Sequence, residues 1–243
     1  MKLPFTCRHV ALLCTGSGLL GLLMRLWLFA ARDHKGLIRP GHFADIVTYL
    51  LLAGVMALLI LYVRQIPHAQ RYQKLFPANL IGSVGCLVGG VCLLLHAVIA
   101  TIQCTPLALI ALPFAICGAA GLLLLAYFRK SGTRPNVLLL IAPIAYLIVH
   151  TILQVRLWSN ETQPTVYFFP LMAALFLMLA VYYHASAILR QRDLRPLVFF
   201  SCGAIFLCCV AIRQEPVFYL GMAAWLACDC CTIPLQRATP EDA

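Results

Sequence analysis

Residues 43–63 read FADIVTYLLLAGVMALLILYV, and residues 79–101 read NLIGSVGCLVGGVCLLLHAVIAT. Each run has about the 20 residues that a helix needs to cross the hydrocarbon core of a bilayer. Apolar side chains occupy every face of these runs, whereas the strands of a membrane barrel alternate polar and apolar. A segment inside lipid must also satisfy its own backbone hydrogen bonds, which a helix does unaided. The two runs therefore read as transmembrane helices.

Working outward at the same window adds six further runs: 10–28, 107–127, 137–157, 166–189, 197–212 and 217–233. The last two are short and are separated only by Arg213-Gln214-Glu215-Pro216, with Pro216 suited to the first turn of a new helix. They read as two short spans or as one re-entrant hairpin. The expected fold is therefore all-α, a single polytopic transmembrane bundle of about eight spans, with seven as the other count. Lys2 and Arg8 precede the first run as they would a signal peptide. That run is too long for a leader and lacks a small-x-small cleavage site, so it is read as a span.

Composition agrees. Of 243 residues, 63% are apolar and 11% charged, against nearer half and a quarter in soluble domains. The net charge of +10 sits in short clusters between the apolar runs. Such clusters orient a membrane protein and meet anionic headgroups. Nucleic-acid binding would want a basic face on a folded polar domain, and the sequence has none. Counting Lys and Arg in the loops favours the side that holds Lys2, Arg8, Arg64, Arg71, Lys74, Arg129, Lys130, Arg134, Arg190, Arg192, Arg195 and Arg237. That side is expected to be cytoplasmic, together with both termini. Arg32, Lys35 and Arg39 in the first loop run against this assignment.

The order of landmarks admits a four-plus-four tandem repeat. Arg25-Leu26-Trp27 closes the first run and Arg156-Leu157-Trp158 the fifth; Pro106 enters the fourth and Pro216 the eighth. Twelve cysteines fall mostly within apolar runs, where they act as small apolar residues. The Cys228-Asp229-Cys230-Cys231 stretch matches no zinc spacing and also reads as packing. Gly85 with Gly89, and Ser17 with Gly21, have the spacing that lets helices approach closely.

Catalytic signatures are absent: there is no H-E-x-x-H, no G-x-S-x-G and no P-loop. Ionisable residues within the runs are the candidates instead, because lipid makes them costly. His184 and Asp229 lie at matching depths near one end of the sixth and eighth runs and are expected as an intramembrane pair. His96 and His150 share a depth near the other end of the third and fifth runs. Two histidines at one depth have the geometry to ligate a haem iron, but no redox motif accompanies them, so no cofactor or metal is expected. Arg25, Arg156 and Arg213 all fall at outer helix ends, where guanidinium groups would suit a small anionic solute. Snorkelling, with Trp27 and Trp158 as interface anchors, is the structural alternative. Glu161 and Glu215 are available to neutralise Arg156 and Arg213. Pro113, Pro143 and Pro170 interrupt three runs, as in the broken helices of transporters.

The leading reading is a small-solute permease or the membrane subunit of a transport system. Its partners are expected to be the bilayer, a solute, and either a second copy or another membrane subunit. A membrane sensor, scaffold or assembly factor acting through basic loops is the first alternative, and a redox or lipid-active membrane enzyme the second.

Overall fold

The computed structural model describes residues 6–31, 38, 42–66, 69–70, 78–103, 106–158, 163–189 and 192–233. Lys2, Arg32, Lys35, Arg39, Arg71, Lys74, Glu161, Arg190 and Arg237 lie outside these residues. Eight helices make up the described chain: α1 (Cys7–Ala30), α2 (Phe43–Val63), α3 (Leu80–Ile102), α4 (Pro106–Ser131), α5 (Leu138–Trp158), α6 (Pro164–Leu189), α7 (Leu194–Ala211) and α8 (Pro216–Thr232). Residues 69–70 and 192–193 add only a two-residue antiparallel pairing between loops.

Seven of the helices are long and apolar enough to cross a membrane. The protein is thus a multi-pass helical membrane protein. At 17 residues, α8 rises only about 26 Å. That falls short of a hydrocarbon core about 30 Å thick, which is why the sequence left the count between seven and eight.

Local chemistry sets the helix starts. His42 Nδ1 accepts from the Ala44 amide, and Asn79 Oδ1 accepts from that of Ile81. Prolines begin α4, α6 and α8, where the missing N–H is not needed. Pro113, Pro143 and Pro170 lie inside α4, α5 and α6, and all three helices run on through them.

Contacts between helix ends define two faces. On the first, the Asn79 amide donates to the Arg129 carbonyl, Arg195 to that of Ile66, and Arg134 to that of Ile188. With Arg8, Arg64 and Lys130 at helix ends on this side, we call it the basic face. On the opposite face, Gln163 exchanges two hydrogen bonds with the Ile38 backbone, and Arg25 donates to the carbonyls of Thr165 and Val166.

The hairpin of α7 and α8 forms the centre. In its most apolar stretch 78% of α7 is buried, against 22–39% for the other six long helices. Small residues let the helices close on this centre. A Cβ built on Gly18 would come 2.7 Å from Cys209 Cβ, and one on Gly21 2.8 Å from Val210. It is Gly18 and Gly21, rather than Ser17 and Gly21, that α1 turns to α7. Against α8, α3 uses Gly85 and Gly89, which face Cys228 and Trp225, while Gly221 of α8 faces Cys92. The Gly85–Gly89 spacing therefore marks a real helix contact. The remaining apolar side chains, among them Leu50, Leu80, Ile102 and Leu109, point outward, as lipid-facing residues should.

Candidate functional site

The register of the hairpin places its turn inside the bundle. Gly21 of α1 stands beside Val210, so α7 ends roughly two turns, about 12 Å, below the end of α1 at Ala30. The turn at residues 212–215 is therefore recessed from the opposite face, and it carries Glu215. His96 and His150 lie about 9 and 12 Å of helical rise below the ends of α3 and α5. All three residues consequently reach one level.

There they meet. Glu215 Oε2 lies 3.1 Å from His150 Nε2 and 4.0 Å from His96 Nε2. The two imidazoles sit edge to face, 5.8 Å apart at 84°. One candidate donor atom from each of the three residues falls within 4.8 Å of the others. Two further side chains hold the trio. Gln154 Nε2 donates to Glu215 Oε1, and the Tyr146 hydroxyl lies 3.5 Å from His150 Nδ1. Phe218 packs against both imidazoles, at 5.3 Å from His96 and 5.0 Å from His150. Although they are close, His150 Nε2 and Glu215 Oε2 miss hydrogen-bond geometry, and neither has another hydrogen-bond partner among the described residues.

Above the trio is a half-open cavity of about 490 Å³. It reaches Gln103 and Leu157 at the ends of α3 and α5, and its walls include Ile99, Leu112 and Leu153. Its one formal charge is Glu215.

The sequence had placed the two histidines at one depth, and the structure brings them together. Glu215, Tyr146 and Gln154 escaped sequence reasoning as members of the group. The Glu215 carboxylate, which in sequence is available to neutralise Arg213, faces the histidines. The available signal was a Glu-Pro step between two short apolar runs.

The other candidates lie elsewhere. Arg25 is buried, with 2% exposure. The Val166 carbonyl that receives its Nη2 is the one that Pro170 leaves without its usual helical donor; Gln214 donates to it as well. Arg213 stacks over the Phe29 ring at 3.7 Å, and Arg25 lies over the same ring at 5.1 Å. Arg156 is exposed in the last turn of α5. Two of the three arginines thus converge, at Phe29 rather than in the cavity.

Near the basic face Asp229 is buried, and its closest partner is Arg129 of α4, which donates to Oδ1. His184 lies within electrostatic reach of both and packs its ring on Trp225 at 5.9 Å. Arg129, counted from sequence as a loop charge, in fact turns inward. Beside this pair Cys7, Cys202 and Cys230 gather three buried thiols from α1, α7 and α8, with 4.0 Å between the Sγ atoms of Cys202 and Cys230. Packed as they are, these thiols serve as small core residues.

Comparison with known protein families, with curated proteins and with solved structures finds no match for this chain. Fold and site together define its class as a multi-pass helical membrane protein with an ionisable cluster beneath a half-open cavity.

Proposed function

We propose that the chain is a small-solute permease or the membrane subunit of a transport system, and that the cavity over Glu215 is its solute site. One observation carries this reading. A carboxylate and two imidazoles are held deep in an otherwise apolar bundle, under a space large enough for a small solute. Burying such groups is costly, and intramembrane ionisable residues mark solute and ion pathways. Polar groups converging in a mostly apolar pocket of this size are also the usual form of a ligand site.

The cavity charge selects the solute. Glu215 favours a cation or a hydrogen-bond donor over the anion that the arginine triplet suggested. Arg25 directs donors to backbone carbonyls of α6, and Arg213 stacks on Phe29, so their guanidinium groups serve helix packing. With both termini cytoplasmic, as the loop charges favour, the cavity faces the extracytoplasmic side.

A thermal-shift screen of the purified protein tests the reading. The panel would hold metal ions, small organic cations, neutral solutes and anions. A rise in melting temperature with one cationic or donor-bearing solute is expected, and Glu215→Gln should abolish it. A rise confined to anions and unchanged in Glu215→Gln would refute the reading.

A further inference from the structure

We propose that His96, His150 and Glu215 form a binding site for a divalent first-row transition-metal ion, with Zn²⁺ the best match. The proposal deepens the solute reading and rests on it for the ion's route of entry, which is the same cavity.

The donor set comes first. Two imidazole nitrogens and one carboxylate oxygen suit zinc and its borderline neighbours, whereas Mg²⁺ and Ca²⁺ prefer all-oxygen shells. A tetrahedral ion with bonds of about 2.0–2.1 Å keeps its donors roughly 3.3–3.4 Å apart. The separations of 3.1 Å and 4.0 Å from Glu215 Oε2 to the two Nε2 atoms bracket that value. The three donor atoms lie within 4.8 Å of one another, so an ion would draw the widest pair together by no more than about 1.5 Å.

The orphaned atoms come next. Buried polar atoms usually find a hydrogen-bond partner. Here His150 Nε2 and Glu215 Oε2 approach to 3.1 Å without hydrogen-bond geometry. A simple ion pair would align the N–H with the oxygen. Both atoms are therefore left available to an ion placed between them.

The supporting contacts are those that metal sites require. Outer partners fix the orientation of ligating histidines and carboxylates. Gln154 engages the carboxylate oxygen that the histidines do not face, and Tyr146 stands at the far nitrogen of His150. Phe218 closes the floor with an apolar ring. Three protein ligands leave a fourth position, and the cavity supplies access to it for water or a solute group. A site of that kind is open rather than structural.

The test uses the full chain in detergent, stripped with a chelator and equilibrated by dialysis against ZnCl₂, with bound zinc measured by mass spectrometry. Saturable binding of about one ion per chain is expected. Glu215→Gln and His150→Gln should each weaken it at least 100-fold. Gln154→Ala, which keeps all three ligands and so guards against a simple folding defect, should weaken it roughly 10- to 100-fold. Excess Mg²⁺ should not compete, and the double variant Cys202→Ser/Cys230→Ser should bind like the wild type. Three results would overturn the proposal: no zinc bound above background, wild-type affinity in Glu215→Gln, or binding lost only in the cysteine variant. Zinc uptake by proteoliposomes addresses the permease reading separately. Stoichiometric binding without uptake keeps the metal site and removes zinc as cargo. Uptake of another cation with no zinc binding removes the metal site and keeps the permease.

Discussion

Replacing one member of the Arg129–Asp229 pair should be the most damaging single charge change in the protein. Arg129 is 4% exposed and Asp229 1%, so neither charge has water to fall back on. Gly82 packs beneath them, with a Cβ position 3.3 Å from Asp229 Oδ1 and 3.7 Å from Arg129 Cζ. That leaves no room for a solvating water on that side. Asp229→Leu strands a guanidinium, and Arg129→Met strands a carboxylate. Removing one partner of a buried pair costs about 3–5 kcal/mol. At about 2–4 °C of midpoint per kcal/mol for a chain of this size, each single variant should melt roughly 6–20 °C lower. The double variant Arg129→Met/Asp229→Leu removes both charges together, and apolar replacement of both members is often neutral or stabilising. It should recover most of the loss. The assay is thermal unfolding in detergent, followed by tryptophan fluorescence, because Trp225 is fully buried one turn from Asp229. A double variant as unstable as the two single losses added together would refute the reasoning, as would single variants that melt with the wild type.

Three further outcomes are expected. Gly121→Ala would drive a Cβ into the Leu139 carbonyl, which Pro143 leaves without its helical donor, whereas Gly54 has nothing within 4 Å of its Cβ position. By thermal melting Gly121→Ala should lose about 1–3 kcal/mol, and Gly54→Ala should gain about 0.5–1 kcal/mol. Arg25→Met removes the charged donors to Thr165 and Val166; it should cost about 1.5–3 kcal/mol, and protease access near residues 163–166 should rise, while zinc binding stays unchanged. In a background without reactive thiols, a cysteine at Gln65 should react with a membrane-impermeant maleimide only from the cytoplasmic side and one at Gln103 only from outside; the reverse pattern would invert the proposed orientation.

The architecture was legible in the sequence because hydropathy and helix length are local properties. Phe43–Val63 was recovered to the residue, and Asn79, read as the start of the third run, became the cap of α3. The helix contact of Gly85 and Gly89 was also readable, since residues four apart share one helix face. What the sequence could not supply was rotation and depth across helices. His96 and His150 matched in depth by residue count, yet Glu215 joined them only because the α7–α8 turn sits about 12 Å inside the bundle. No local signal reports that recess. Arg129 shows the same limit. It follows an apolar run like any loop charge, and only the packing of α8 against α3 shows that it faces Asp229. The parallel between Arg25-Leu26-Trp27 and Arg156-Leu157-Trp158 holds in sequence order, but Arg25 is buried and Arg156 exposed, so the two motifs do not occupy equivalent surroundings.

Near the two ends of α8 sit two carboxylates, Asp229 buried and Glu215 half-buried, whose surroundings separate structure from function. Asp229 faces a guanidinium that stays charged at any accessible pH, and Gly82 fills the space beneath the pair. Such a pair neutralises its own charge at folding. Glu215 faces two imidazoles rather than a guanidinium, under a cavity of about 490 Å³. Its negative charge is not matched by any permanent cation within 4 Å among the described residues. A carboxylate left in that state is costly unless something positive arrives to share it. A proton would do so by giving an imidazolium, and a divalent ion would do so while using both nitrogens as ligands. Only the second option uses the open coordination position that the cavity provides. The difference in partners, permanent at one end and exchangeable at the other, makes the Glu215 end the place to look for the protein's activity and the Asp229 end the clamp that holds the bundle shut.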